Sequence, residues 1–139
     1  MKTQFLLLIP FMFFIQSLNL KAQDVEVCDN KLFIFWTNAD VIFAENMVLK
    51  YTKAAKVENW FEQVTLIIWG PSAKLTAENV KIQKELHELQ EAGVFIEVCS
   101  VCADAYDVKD ILTGIGLDVK PMGMPVTQYV KSGAKVLNF

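Results

Sequence analysis

Val94-Phe95-Ile96-Glu97-Val98-Cys99-Ser100-Val101-Cys102-Ala103-Asp104 is the stretch that decides the fold. From Val94 to Val98 the run is apolar and β-branched, broken only by Glu97. That composition suits a short strand buried in a sheet. Two thiols three positions apart follow, Cys99 and Cys102. Beyond them the apolar positions Ala103, Ala105, Val108, Ile111 and Leu112 take up helical spacing, which predicts a helix from Ala103 to Ile115. A thiol where a strand hands over to a helix lies in the positive field of the helix N-terminus. Such a field favours thiolate, the reactive form of cysteine.

Upstream, Gly93 is a natural C-cap for a long helix that starts at Thr76 to Asn79 and runs through Ala92. Its inward positions are Val80, Ile82, Leu86 and Leu89. Before it, Gly70-Pro71-Ser72 breaks a strand from Gln63 to Trp69. Further back, Lys31 to Trp36 is a continuous apolar strand. Thr37 and Asn38 offer N-caps to a helix from Ala39 to Lys56. Downstream, a glycine- and proline-rich region leaves room for a short strand at Leu117 to Val119. A helix from Val126 to Lys131 and a strand from Lys135 to Asn138 end the chain. Strands alternating with helices predict an α/β fold with a mostly parallel sheet of about five strands and helices on both faces. Ligands gather at the carboxyl ends of such strands. The loops carrying Asn38 and Asp40, Gly70, Pro71 and Ser72, and Cys99 and Cys102 are therefore expected to converge on one edge.

Length and charge limit the possibilities. The chain has 139 residues and is 53% hydrophobic. Residues 1–22 read as a secretory signal: Lys2, then an apolar run from Phe5 to Ile15 interrupted by Pro10, then a more polar segment ending at Ala22. The run is shorter than the roughly 20 apolar residues that a membrane span requires. An uncleaved anchor is the alternative. Cleavage after Ala22 leaves residues 23–30 as a short lead-in containing Cys28, and residues 31–139 as one domain. That mature chain is exported, periplasmic or secreted, with no stable membrane insertion. It carries 11 lysines against 16 acids, net −5, and no arginine. An acidic chain without the residue best suited to phosphate recognition argues against nucleic acid as a partner.

Three cysteines are too few for a disulfide scaffold and leave one unpaired. Cys99 reads either as a nucleophilic thiolate or as a buried structural cysteine. The C-x-x-C spacing to Cys102 favours redox or sulfur chemistry over simple packing. A structural disulfide is the competing reading of the pair. A zinc site would need Cys28 and the lone His87 to complete a tetrahedral shell. His87, near Lys84, Glu88 and Glu91, belongs to a solvated helix face instead. No phosphate-binding glycine motif is present, and no Ser/His/Asp set can be assembled. The sequence implies no cofactor and no metal.

The order of strands, with Trp69-Gly70-Pro71-Ser72 after the second and Val98-Cys99-Ser100-Val101-Cys102-Ala103-Asp104-Ala105-Tyr106 after the third, resembles the DsrE/DsrF-like family, especially its small exported members with two cysteines at this point. Ile115-Gly116-Leu117, Met122-Gly123 and Ser132-Gly133-Ala134-Lys135-Val136-Leu137 fit it too. The resemblance covers most of residues 31–139. It implies a flavodoxin-like three-layer α/β/α sandwich and a homo-oligomer, dimer, trimer or hexamer. It also implies sulfur relay, with Cys99 accepting sulfur as a persulfide from a small donor or a thiol protein and Cys102 as resolving thiol. Two alternatives stand beside this one. The pair could serve an exported thiol–disulfide redox protein, or it could be a structural bridge in a non-catalytic oligomeric binding protein.

Overall fold

A computed structural model describes residues 30–139. The signal segment, nearly all of the lead-in and Cys28 lie outside the described residues. Among those described, no helix is long and apolar enough to cross a membrane.

Five strands form one parallel sheet: β1 (Lys31–Trp36), β2 (Gln63–Ile68), β3 (Phe95–Cys99), β4 (Asp118–Lys120) and β5 (Lys135–Asn138). Their order is β4-β3-β2-β1-β5. All four pairings are parallel; Trp36 lies opposite Ile68, Ile68 opposite Val98, and Cys99 opposite Lys120. The central strands are near-continuous apolar runs because both of their faces are covered.

The helices are α1 (Val41–Phe43), a π-helical segment (Ala44–Val48), α2 (Leu49–Val57), α3 (Pro71–Glu78), α4 (Val80–Glu91), α5 (Ser100–Ala105), α6 (Lys109–Gly114) and α7 (Gly123–Lys131). Three successive crossovers step the sheet in one direction, from β1 to β4. Right-handed connections place their helices on one face. The last crossover returns from β4 to the far side of β1, so α7 falls on the other face. The core divides accordingly. Leu32, Ile34, Trp36, Leu66, Ile68, Ile96 and Val98 meet α2 through Leu49, α4 through Ile82, Leu86 and Leu89, and α6 through Leu112. Phe33, Phe35, Ile67, Cys99 and Met122 form a smaller cluster on the second face, packed by Trp69, Val126 and Tyr129.

The expected alternation and the five strands are present. The single helix expected from Thr76 to Ala92 is two. Pro71 sits at the first helical position of α3, where its missing N–H costs nothing. Asn79 then stops α3 with an extended backbone (φ −119°, ψ 104°) and caps α4 by accepting from the N–H groups of Lys81 and Ile82. Val80, expected inward, is therefore a first-turn residue and 77% exposed. The helix expected from Ala103 to Ile115 also divides, at Asp107, whose φ of +57° ends α5 and starts a new turn. Asp40, not Thr37 or Asn38, is the N-cap of α1; its Oδ1 accepts from Phe43 N at 2.8 Å.

Candidate functional site

Residues of β3 alternate between the faces. Ile96 and Val98 enter the large core; Glu97 and Cys99 face the second layer. Cys99 is the last residue of β3 and the N-cap of α5, with φ −68° and ψ 112°. Cys102 is the third helical residue, so the two side chains lie over the same first turn. Both are free thiols, and they interact directly. Their exposures are unequal. Cys99 is 3% exposed, among Phe33, Phe35, Ile67 and Met122, whereas Cys102 is half-buried at the margin of both clusters. Cys99 thus has the burial of a packed cysteine, while its chemistry still has a neighbouring thiol in Cys102. The strand's pleat turns its side chain under the second layer, and the helical turn brings Cys102 outward.

The loop after β2 closes against Cys102. Gly70 has φ +73° and ψ −136°, a region essentially confined to glycine. In this conformation its backbone N–H favours the Cys102 thiolate. Ser72, fully buried, locks the loop. Its hydroxyl donates to Trp36 O at 2.5 Å and accepts from Trp69 N at 3.1 Å. Burial pushes the Cys102 thiol above its ordinary value, and the Cys99 thiol adds to the rise; the N–H groups of Gly70 and of Cys102 itself act the other way. The balance of these effects raises the Cys102 pKa. A helix as short as α5 supplies little dipole to oppose burial.

The other residues expected at this edge separate into two groups. Gly70 and Ser72 are brought to the thiols, directly and through the loop. Pro71 is exposed and starts α3. Asn38 and Asp40 use their side chains locally, Asn38 Oδ1 accepting from Asp40 N and Asp40 capping α1. The crevice beside β1, where the strand order reverses, is closed by Phe139, whose carbonyl accepts from the N–H and hydroxyl of Thr37. His87 is exposed and pairs with Glu91 on the solvated face of α4. Among the described residues no three His, Cys, Asp or Glu side chains are placed to hold a metal. A groove of about 420 Å³ between α2 and α4 lies away from the thiols, and Lys53 and Lys81 in it are ion-paired to Glu88 and Glu45.

A polar cluster beside Cys99 was not anticipated. Tyr129 of α7 donates to the Glu97 carboxylate, 2.9 and 3.0 Å from its two oxygens, and stacks on Phe33 at 3.9 Å. Lys120 reaches the same carboxylate at 2.8 Å and also pairs with Asp118. The one signal in the sequence was Glu97 itself, a charge inside an apolar strand. Its partners lie more than twenty residues away and cannot be read from spacing.

Residues 32–139 match the DsrE/DsrF-like family. The chain belongs to that family. Family members are associated with sulfur relay. This DsrE/DsrF-like chain is similar to a conserved protein of unknown function, BT1422, from Bacteroides thetaiotaomicron. The two share 35% identity and a TM-score of 0.76 over 79% of this chain and 95% of that one. It also shares its fold with YchN of E. coli, at 21% identity and a TM-score of 0.61 over 79% and 99% of the respective chains. No curated protein matches the chain significantly.

Proposed function

We propose that this DsrE/DsrF-like protein carries sulfane sulfur on the Cys99/Cys102 pair, with Cys102 as the atom that meets the donor. The observation that carries the reading is the unequal exposure of two thiols in direct contact. Because Cys102 is the more exposed thiol, we assign the two roles the other way round from the family resemblance. Cys102, as thiolate, attacks the outer sulfur of a donor persulfide; the donor leaves as its thiolate and Cys102 becomes a persulfide. A partner thiolate then takes the outer sulfur and returns Cys102 to a thiolate. Without a partner, Cys99 attacks the inner sulfur. The Cys99–Cys102 disulfide forms and hydrosulfide leaves, so two thiols are oxidised while sulfane sulfur is reduced to sulfide. An external dithiol resets the bridge. Exchange of this kind needs a reachable thiolate and a nearby second thiol.

The test is the mass of the reduced Cys99→Ser protein, in which the disulfide cannot form, after incubation with a persulfide donor, with the Cys99→Ser/Cys102→Ser double variant as control. A gain of one sulfur that disappears when Cys102 is also changed to serine supports the carrier. A reduced, alkylatable protein that gains nothing overturns it.

Thiol–disulfide oxidoreduction is the second reading, favoured by the same contact between the thiols. Turnover of a disulfide substrate in the absence of any sulfur donor, lost in either cysteine variant, would establish it. We place the protein outside the cytoplasm on the strength of residues 1–22, and as a homo-oligomer on the family resemblance.

A further inference from the structure

Cys99 has the wrong exposure for any step in which it meets a molecule from outside, and what covers it is specific. The large face of the sheet is sealed by several helices with fully buried anchors such as Leu86, Leu89 and Leu112. The second face carries α7, and none of its nine residues is buried. Met122, immediately before α7, is 0% exposed and packs in the same small cluster as Cys99; Val126 and Tyr129 of α7 are only half-buried against that cluster. Met124 and Val130, on the same helix, are exposed. The cover is therefore thin and apolar apart from one strong tie, the Tyr129 hydroxyl on the Glu97 carboxylate two residues before Cys99. Glu97 is held in place for this contact by Lys120. The segment ends at Gly133, where φ is +73°. Elements with few buried apolar contacts are the ones that open locally below the cost of global unfolding.

We propose that Met122 and α7 form a lid over Cys99, latched by Tyr129 on Glu97, and that opening this lid exposes Cys99 to a partner thiol from outside. The need for opening rests on the role proposed for the dithiol. The lid itself rests on burial and hydrogen bonding alone. While closed, it shields Cys99 from outside thiols and electrophiles and leaves only its neighbour Cys102 within reach. Tyr129 and Glu97 are positioning residues here, acting through the lid and not on the sulfur.

The experiment is native alkylation of Cys99 by N-ethylmaleimide in the full-length Cys102→Ser protein, with modified peptides mapped by mass. Adding Tyr129→Phe or Glu97→Gln removes one side of a charge-assisted bond and is expected to speed Cys99 modification by about tenfold or more. Leu86→Ala, which loosens the opposite core, serves as the control. It is expected to lower the denaturation midpoint more than Tyr129→Phe does, yet to leave the Cys99 rate nearly unchanged. Unaltered Cys99 reactivity in both latch variants overturns the lid. So does a Cys99 rate that simply follows global stability across all three. The readout involves no sulfur donor, so a failed persulfide assay with a positive alkylation result rejects the carrier and retains the lid.

Discussion

The backbone N–H of Gly70 lowers the pKa of the Cys102 thiol, from a residue with φ +73° and ψ −136°. That torsion pair strains any residue with a Cβ by about 1–3 kcal/mol, although the nearest obstacle to a Cβ, Thr37 O, is 3.9 Å away. Gly70→Ala is therefore expected to lower stability by about that amount through the backbone. Relaxing the loop withdraws the N–H from Cys102 and raises the thiol pKa further. Denaturant unfolding and the pH dependence of Cys102 alkylation check the two effects separately. An alanine variant with unchanged values of both would remove Gly70 from the site.

Cys102 in the wild type should alkylate with a midpoint above the ordinary thiol range, because burial and then the Cys99 thiol both raise its pKa. The sign follows from which form is charged: both causes penalise thiolate, so reactivity grows only as pH rises past the usual value. Cys99→Ala removes the second cause and leaves the first. Its Cys102 midpoint should fall relative to wild type. A midpoint that rises in Cys99→Ala would mean that Cys99 stabilises the thiolate instead.

Ser72 and Thr76 are both buried hydroxyls one helical turn apart, and they should respond oppositely to removal. Ser72 joins Trp36 O and Trp69 N, which also bond each other at 3.0 Å, so Ser72→Ala loses hydrogen bonds without orphaning either group and should cost about 1 kcal/mol. Thr76 Oγ1 has no hydrogen-bond partner. Thr76→Val keeps the shape and discards an unsatisfied group, and should be neutral or stabilising by about 1 kcal/mol. Equal losses in the two variants would contradict the assignment of Ser72 as the lock of the loop.

Tyr129 should be a late-titrating phenol. Burial first, then the Glu97 carboxylate, pushes its pKa up to about 12, with Lys120 opposing. Folding therefore holds the phenol proton more tightly than the unfolded chain does at about 10. The stabilisation this gives is present below about pH 10 and is lost as pH rises towards the folded value. Ultraviolet difference titration should show a phenolate signal near pH 12 that is absent in Tyr129→Phe. A Tyr129 signal at the ordinary value would mean that the bond to Glu97 does not persist in solution.

Periodicity and turn residues made the fold largely legible. Apolar runs at Lys31 to Trp36, Gln63 to Trp69 and Val94 to Val98, each followed by a helical pattern, were enough for a parallel α/β sheet, and Lys135 to Asn138 was found with its observed bounds. Helix interruptions were harder to see. Proline at Pro71 reads equally as a breaker or as the first residue of a helix, and a positive φ at Asp107 leaves no mark in composition. The two cysteines and Gly70 could be placed at one edge because strand ends in a parallel sheet share an edge. Which thiol faces outward could not, because that depends on the pleat at Cys99 and on a helix, α7, that arrives from the other end of the sheet. The bond between Tyr129 and Glu97 spans 32 residues and is a product of that late crossover.

The measurement that bears most directly on the dithiol is the fate of one added sulfur in three proteins given a persulfide donor: wild type, Cys99→Ser and Cys102→Ser. Mass mapping and released sulfide are read together. Cys99→Ser should accumulate a stable persulfide on Cys102 and release no sulfide. Wild type should end as the Cys99–Cys102 disulfide with sulfide released, and Cys102→Ser should take up nothing. A persulfide mapped to Cys99 in Cys102→Ser, with none on Cys102 in Cys99→Ser, would contradict the account.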